Sequence, residues 1–267
     1  MSAGMKLLVA AVVGALLFAG VYSAVQVRAK HEKEKQALEE LDKARREIGN
    51  EMKSELDRDG SISADSAAKA MKAMQSNLDK AVTAGGKEDK TLKAASGVMA
   101  DLQGKMMPYL ELTKKVETDN PMDMTTVKNK SDLAERRKFG REMLRMNDDI
   151  LTFLDTVEDR LRTNLRQTGA TGPSVEEFVK GFMKGFNRTA AIQRRVRKSD
   201  KVIATSLIAT TELLEAEWGK WKVKDEAVIF DTDAPLARYN ALMEETRKAA
   251  EDQVAAQREL IELQQRK

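Results

Sequence analysis

Apolar residues recur at alternating steps of three and four along most of this chain. Residues 30–57 place Leu38, Leu41, Ile48, Met52 and Leu56 on one stripe between charges, and Asp57-Arg58-Asp59-Gly60 reads as the stop. Ser61 or Ser63 reads as the cap of a second helix, whose Ala67, Met71, Met74, Leu78 and Ala81 share a face up to Gly85-Gly86. The third helix shows Leu92, Ala95, Met99, Leu102, Met106, Tyr109, Thr113 and Val116 at coiled-coil spacing, with Pro108 as an expected kink.

Residues 118–130 (TDNPMDMTTVKNK) break the period and read as a linker. Ser131 or Asp132 is then expected to open a helix reaching Gln167, with Met143, Ile150, Leu154, Val157, Leu161 and Leu165 inside. After a Gly-Pro turn, Ser174 and Glu177 form a capping-box pattern for a helix continuing toward Lys222, with an expected break near Ser199-Asp200. The alternation from Trp221 to Phe230 predicts one short β-hairpin turning at Asp225-Glu226. Asp233 and Pro235 open the last amphipathic helix. The expectation is an all-α, elongated, antiparallel, coiled-coil-like bundle. Its divisions are 1–27, three helices in 28–117, the linker 118–130, and 131–267, the last holding a hairpin over 131–222 and a helix over 234–266.

Leu7–Val27 is a stretch of 21 residues without a charge, long enough to cross about 30 Å of hydrocarbon. It reads in two ways. One is an uncleaved anchor running into Arg28; the other is a secretory signal cut before Ala24, with Val21 and Ser23 as the small residues. Arg28, Lys30, Lys33 and Lys35 follow it and argue for a cytoplasmic C-terminal part, whereas the short head with Lys6 resembles an export signal. The expected location is a bacterial inner membrane, single-pass, with the domain in the periplasm. Release into the periplasm after cleavage, and a cytoplasm-facing domain, are the alternatives.

Composition narrows the chemistry. The 267 residues include no cysteine and one histidine, His31, so thiol nucleophiles, Cys-type metal sites and His pairs are excluded. Aromatics are only 4% while charged residues reach 33%, which favours solvated helices over a β-sandwich. There is no phosphate loop and no Ser-His arrangement, so no enzyme is expected.

The 46 basic and 43 acidic side chains nearly cancel, yet the basic ones cluster. Arg136, Arg137, Lys138, Arg141 and Arg145 would lie beside Arg194, Arg195, Arg197, Lys198 and Lys201 if 131–167 and 174–222 form a hairpin. That register pairs Glu158 with Lys184, Asp155 with Arg188, Asp148 with Arg195 and Asp149 with Arg194, and leaves Arg145 facing Arg197. The leftover positive charge is a candidate surface for an acidic protein or lipid, or simply a solvated face. Nucleic acid is not expected, because neither a binding motif nor interleaved aromatics accompany it. Phe178, Phe182 and Phe186 with Gly181 and Gly185 (FVKGFMKGF) read as core, with a greasy docking face as the alternative.

Residues 55–66 resemble an EF-hand calcium loop: Glu55, Asp57, Asp59, Ser61 and Asp65 supply oxygens, with Gly60 at the turn and Ile62 at the apolar position. The resemblance implies calcium as the one candidate cofactor; no other is expected. Glu55 replaces the first Asp, and Ser66 stands where a bidentate Glu belongs, so a plain helix stop competes.

The expected function is a membrane-anchored, non-catalytic interaction or scaffold module with a protein partner and scope for self-association. A ligand-sensing four-helix domain is the alternative. A sensor needs polar groups facing inward at one level, and these stripes read as apolar throughout, which favours the scaffold.

Overall fold

A computed structural model describes residues 32–60, 62–84 and 90–265. Leu7–Val27, His31, Ser61 and Gly85-Gly86 lie outside the described residues, as do the side chains of Leu38 and Leu41. No described helix is long and apolar enough to cross a membrane.

Seven helices and one two-stranded sheet make up the described residues. They are α1 (Glu32–Asp59), α2 (Ala64–Ala84), α3 (Lys90–Asp119), α4 (Lys130–Asp155), α5 (Val157–Gln167), α6 (Pro173–Ala216), β1 (Trp221–Lys224), β2 (Ala227–Phe230) and α7 (Asp233–Gln265). The 44-residue α6 is the spine, about 66 Å long, with α4 on one side and α7 on the other. α3 packs on α2, α4 and α5, and α1 packs on α2 and α7. One hydrophobic core runs through all of them, from Ile48 to Ile261. Every α2 and α3 stripe position predicted above is buried, Thr113 included, and so are the six named on α4 and α5.

Local chemistry explains the ends. The Ser63 hydroxyl accepts from the Ser66 N–H at 3.2 Å, capping α2. α4 starts one residue before the expected place: Asn129 is its N-cap, and its side chain and that of Asp132 each accept from the other's backbone N–H. Bonds from the Lys128 and Asn129 N–H groups hold the Asp132 carboxyl below its ordinary range. The Ser174–Glu177 box does not form. Gly172, at φ 93°, precedes Pro173 in the first turn, so proline's fixed φ starts α6 without a side-chain cap.

Two helix-length expectations change. The helix over 131–167 is broken at Thr156 (φ −109°, ψ 10°), whose hydroxyl donates to the Thr152 carbonyl at 2.9 Å and competes with the backbone ladder. α6, in contrast, passes Ser199-Asp200 without a break and stops at Ala216. The hairpin over 131–216 is antiparallel as expected, with a different register. Asp155 meets Arg194 at 2.9 Å and Asp148 meets Lys201 at 3.1 Å, while Arg162 meets Glu176 at 2.8 Å near the turn. The physical cause is the Thr156 break, after which α5 packs chiefly on α3 rather than along α6.

The predicted β-hairpin is present, with Trp221 opposite Phe230 and a two-residue turn at Asp225 (φ 51°) and Glu226 (φ 57°). The Trp221 indole N–H donates to the Leu214 carbonyl at 2.8 Å, and Phe230 lies 5.7 Å from the Tyr239 ring. β2 also packs on residues 124–126, a single 3₁₀ turn inside 118–130. Met122, Met124 and Val127 of that stretch are buried, and the core continues across it.

Candidate functional site

The cationic cluster loses most of its free charge once the helices are assembled. Arg137 pairs with Glu215, Arg141 with Glu212 at 3.7 Å and Arg145 with Asp149 at 3.2 Å. Arg194 pairs with Asp155, Arg195 with Asp252 and Glu259 at 3.0 Å each, and Lys201 with Asp148. Arg136 is turned inward to hold the 118–130 stretch. Its guanidinium donates to the carbonyls of Pro121 and Asp123 and to the Thr126 hydroxyl, beside a cleft of about 540 Å³, and burial pulls its pKa down. Lys138 and Lys198 are exposed and make no ion pair among the described residues. Arg197 leaves the surface altogether: it is 0% exposed, because it points between helices rather than outward.

The calcium-like residues are not brought together either. Glu55 and Asp57 are part of α1; the Glu55 carboxylate accepts from the Ser63 N–H at 2.9 Å. Asp59 is engaged by Arg58, and Asp65 by Lys114 at 3.0 Å. Continuing α1 to Asp59 places in a helical turn the residues that a calcium loop would wrap around an ion. Among the described residues no group of three or more carboxylates or imidazoles is placed to hold a metal. Phe178, Phe182 and Phe186 are buried, which makes that stripe core.

The concentration of chemistry lies where the stripes had read as apolar. At mid-bundle, Tyr109 of α3, Asn147 of α4, Gln193, Arg197 and Asp200 of α6, and Gln253 and Gln257 of α7 are all at most 1% exposed. Arg197 Nη1 lies 3.0 Å from Asp200 Oδ2, and its guanidinium carbon stands 4.9 Å from the Tyr109 ring centroid, a cation–π contact. The Gln253 amide donates to Asp200 Oδ1 at 2.6 Å, and the Asn147 amide to the Arg197 carbonyl at 2.8 Å. Ser199 and Ser206 extend the layer outward to Asp252 and Glu245.

This layer is an ion pair taken out of water, and its electrostatics show the cost. Burial pushes the Asp200 carboxyl up to about 6, against the opposing pull of Arg197 and of the hydrogen bond from Gln253. Burial likewise raises the Tyr109 hydroxyl well above its ordinary value, and the Asp200 charge adds to that. Such a set can bind a proton near neutrality and can hold four helices in one register. Asn147 Oδ1 and Gln253 Oε1 accept no hydrogen bond among the described residues, so the layer is polar beyond what its own donors satisfy.

Tyr109, Gln193, Asp200 and Gln253 of the layer were legible in the same spacing that found the cores. Continuing the three-four steps of α6 from Phe182 and Phe186 gives Thr189, Gln193, Val196, Asp200, Ile203, Leu207, Thr210 and Leu214, all buried. On α7, Leu242, Thr246, Ala249, Gln253, Ala256 and Leu260 follow the same rule. Asn147 fills the gap between Met143 and Ile150. No protein family, no curated protein and no solved structure matches this chain.

Proposed function

We propose that the chain is a membrane-tethered, non-catalytic helical module that carries an interaction surface away from the bilayer. The observation that carries this reading is the polarity of the bundle. α1 begins at Glu32, directly after the sequence that leads from Leu7–Val27, and its antiparallel partner α2 begins at the other end of the bundle. That other end is shared by Asp65 beside Lys114, by residues 118–130 and by the β-hairpin, which is the place of the two exposed large hydrophobics among the described residues, Val223 and Ile229. Twenty-eight residues of α1 make the separation about 42 Å.

The location that goes with this reading is a bacterial inner membrane with the bundle in the periplasm, and the partner is a protein. Protease added to spheroplasts tests the orientation: digestion with the membrane intact supports it, and protection until detergent is added reverses it. A photo-crosslinking residue in place of Ile229 tests the role. Adducts at 229 and none at an exposed α7 position such as 248 are expected; adducts at neither refute the contact end.

The ligand-sensing alternative has one observation in its favour, the inward-facing polar level around Arg197 and Asp200. The clefts around Lys72 to Gln103 and around Leu112 to Glu142 are lined by other residues. Calcium at 55–66 is the least supported reading, given the dispersed carboxylates.

A further inference from the structure

Neutralisation of the cationic cluster is uneven, and the unevenness has a direction. Lys180, Lys184 and Arg188 are exposed, stand at successive steps of four on the first half of α6, and make no ion pair among the described residues. Glu176, four residues before Lys180, is engaged by Arg162, and Glu259 of α7 by Arg195. Glu177 precedes the stripe by one turn. Beneath the stripe, Phe178, Phe182 and Phe186 hold this half of the helix rigidly to the core.

The stripe also lies at the end of the bundle where the N-terminal segment joins. Lys90, the first residue of α3, donates to the Gly169 carbonyl at 3.3 Å, so the start of α3 meets the turn that begins α6. α1, antiparallel to α2 through the Gly60 turn, starts at that same end. Lys180 is seven residues into α6, about 10 Å from its start, and Arg188 is about 22 Å from it. With the Debye length near 8 Å, an upright bundle would hold all three more than one Debye length from a lipid surface below it. A bundle leaning on this face brings in all three.

We propose that the N-terminal half of α6 rests on an anionic lipid surface through Lys180, Lys184 and Arg188, so that the tethered bundle reclines on its own membrane. This rests on the tether reading for the membrane's nearness, and on the unpaired cations for the contact itself. The uncharged stretch Leu7–Val27 and the point where α1 begins decide for a bilayer over an acidic protein as the occupant. Each basic residue near an anionic surface strengthens association about fivefold, and three together about a hundredfold.

The chain has no cysteine, so Asn187→Cys and Lys224→Cys each give one labelling position, beside the stripe and on the distant hairpin. The full-length protein, carrying an environment-sensitive fluorophore, is mixed with phosphatidylcholine vesicles or with vesicles that also contain phosphatidylglycerol. Nitroxide-headgroup lipids act as quencher, and flotation reports attachment. The expected result is quenching at 187 but not at 224, only with phosphatidylglycerol, and lost at high salt. The triple variant Lys180→Glu, Lys184→Glu, Arg188→Glu should lose it with helix content unchanged, and the triple Gln variant should lose most of it. Flotation on both vesicles with no quenching at 187 overturns the reclining contact and leaves the tether standing. Flotation only with phosphatidylglycerol, with 187 quenched, upholds the contact and overturns the tether. Failure to float on either, or quenching untouched by the triple variants, overturns the contact. So does binding of the stripe to an acidic protein with the vesicles silent.

Discussion

The two halves of α6 solve opposite problems with the same residue types. From Phe178 to Phe186 the inside is aromatic and the outside carries unpaired cations. From Thr189 to Thr211 the inside holds Gln193, Arg197 and Asp200, while Arg194, Arg195 and Lys201 outside are paired and only Lys198 stays unpaired among the described residues. The first half is held by non-directional burial and leaves its charge available. The second half commits all but one of its cations to neighbours from α3, α4 and α7, which costs stability and specifies a register. One helix therefore carries an available surface and a fixed junction, and their positions, near and far from the α6 start, differ accordingly.

The sharpest way to break the comparison is to remove one member of each interior. Arg197→Ala should cost about 3–5 kcal/mol, because Asp200 is left buried without its counter-charge. Phe182→Ala should cost a similar amount, about 3–5 kcal/mol, through its cavity. Chemical denaturation will find the two alike at neutral pH, yet their remedies differ. Arg197→Met with Asp200→Leu should recover most of the loss or exceed the parent, because neither charge then needs water. If the double variant is as unstable as Arg197→Ala, the layer is held by geometry more than by charge.

Acid should sharpen the contrast next. The folded Asp200 carboxyl titrates at about 6 against an ordinary 3.8, so the folded chain holds this proton more tightly than the unfolded one. The stabilisation from the protonated group is complete below about pH 4 and is lost as pH rises through 6. Each tenfold difference in proton affinity between the two states is worth about 1.4 kcal/mol, so the whole effect is on the order of 3 kcal/mol. Against Asp200→Asn, whose amide does not titrate, the parent should therefore gain relative stability on going from pH 7 to pH 4. Phe182→Ala should keep the parent's slope. A parent slope equal to that of Asp200→Asn would place the proton elsewhere.

The third effect is one of contact distance. A Cβ on Gly140 of α4 would meet Ile208 Cγ1 at 3.0 Å and the Ala204 carbonyl oxygen at 3.3 Å, both on the second half of α6. Gly140→Val should then cost about 2 kcal/mol by overpacking, more than the better helix propensity returns. It should also loosen Asn147, two turns further along α4, from the Arg197 carbonyl. Amide exchange on α6 checks this: protection should fall around 197–211 and hold around 178–186.

How much of this was legible follows the same division. The heptad spacing revealed the cores of α2 and α3 residue by residue, and local turn chemistry revealed the bend at Asp225-Glu226, because both are short-range patterns. The spacing also carried Gln193, Asp200 and Gln253, yet their polar side chains interrupt the apolar stripe that marks a seam. Arg197 was harder: it is off that seam, among Arg194, Arg195 and Lys198, and only the packing of α4 and α7 on α6, with Tyr109 reaching in from α3, buries it. The ion-pair register failed because a single residue, Thr156, redirects α5, and nothing in a charge count announces a one-residue break.

The smallest expected effect tests the outer faces. Asp155 and Arg194 are 64% and 37% exposed, so water screens their 2.9 Å contact and their coupling should be about 0–1 kcal/mol. A double-mutant cycle with alanine at both positions should return a value in that range, reduced by salt. Lys184→Ala, which breaks no ion pair, should leave stability unchanged within about 0.5 kcal/mol. If Lys184→Ala costs as much as Arg194→Ala, the two faces of α6 are equally engaged, and the first half has no charge to spare for a surface. If Lys184→Ala is silent for stability while Arg194→Ala is not, the cations of the first half are free for another use, which is what sets that half of the helix apart.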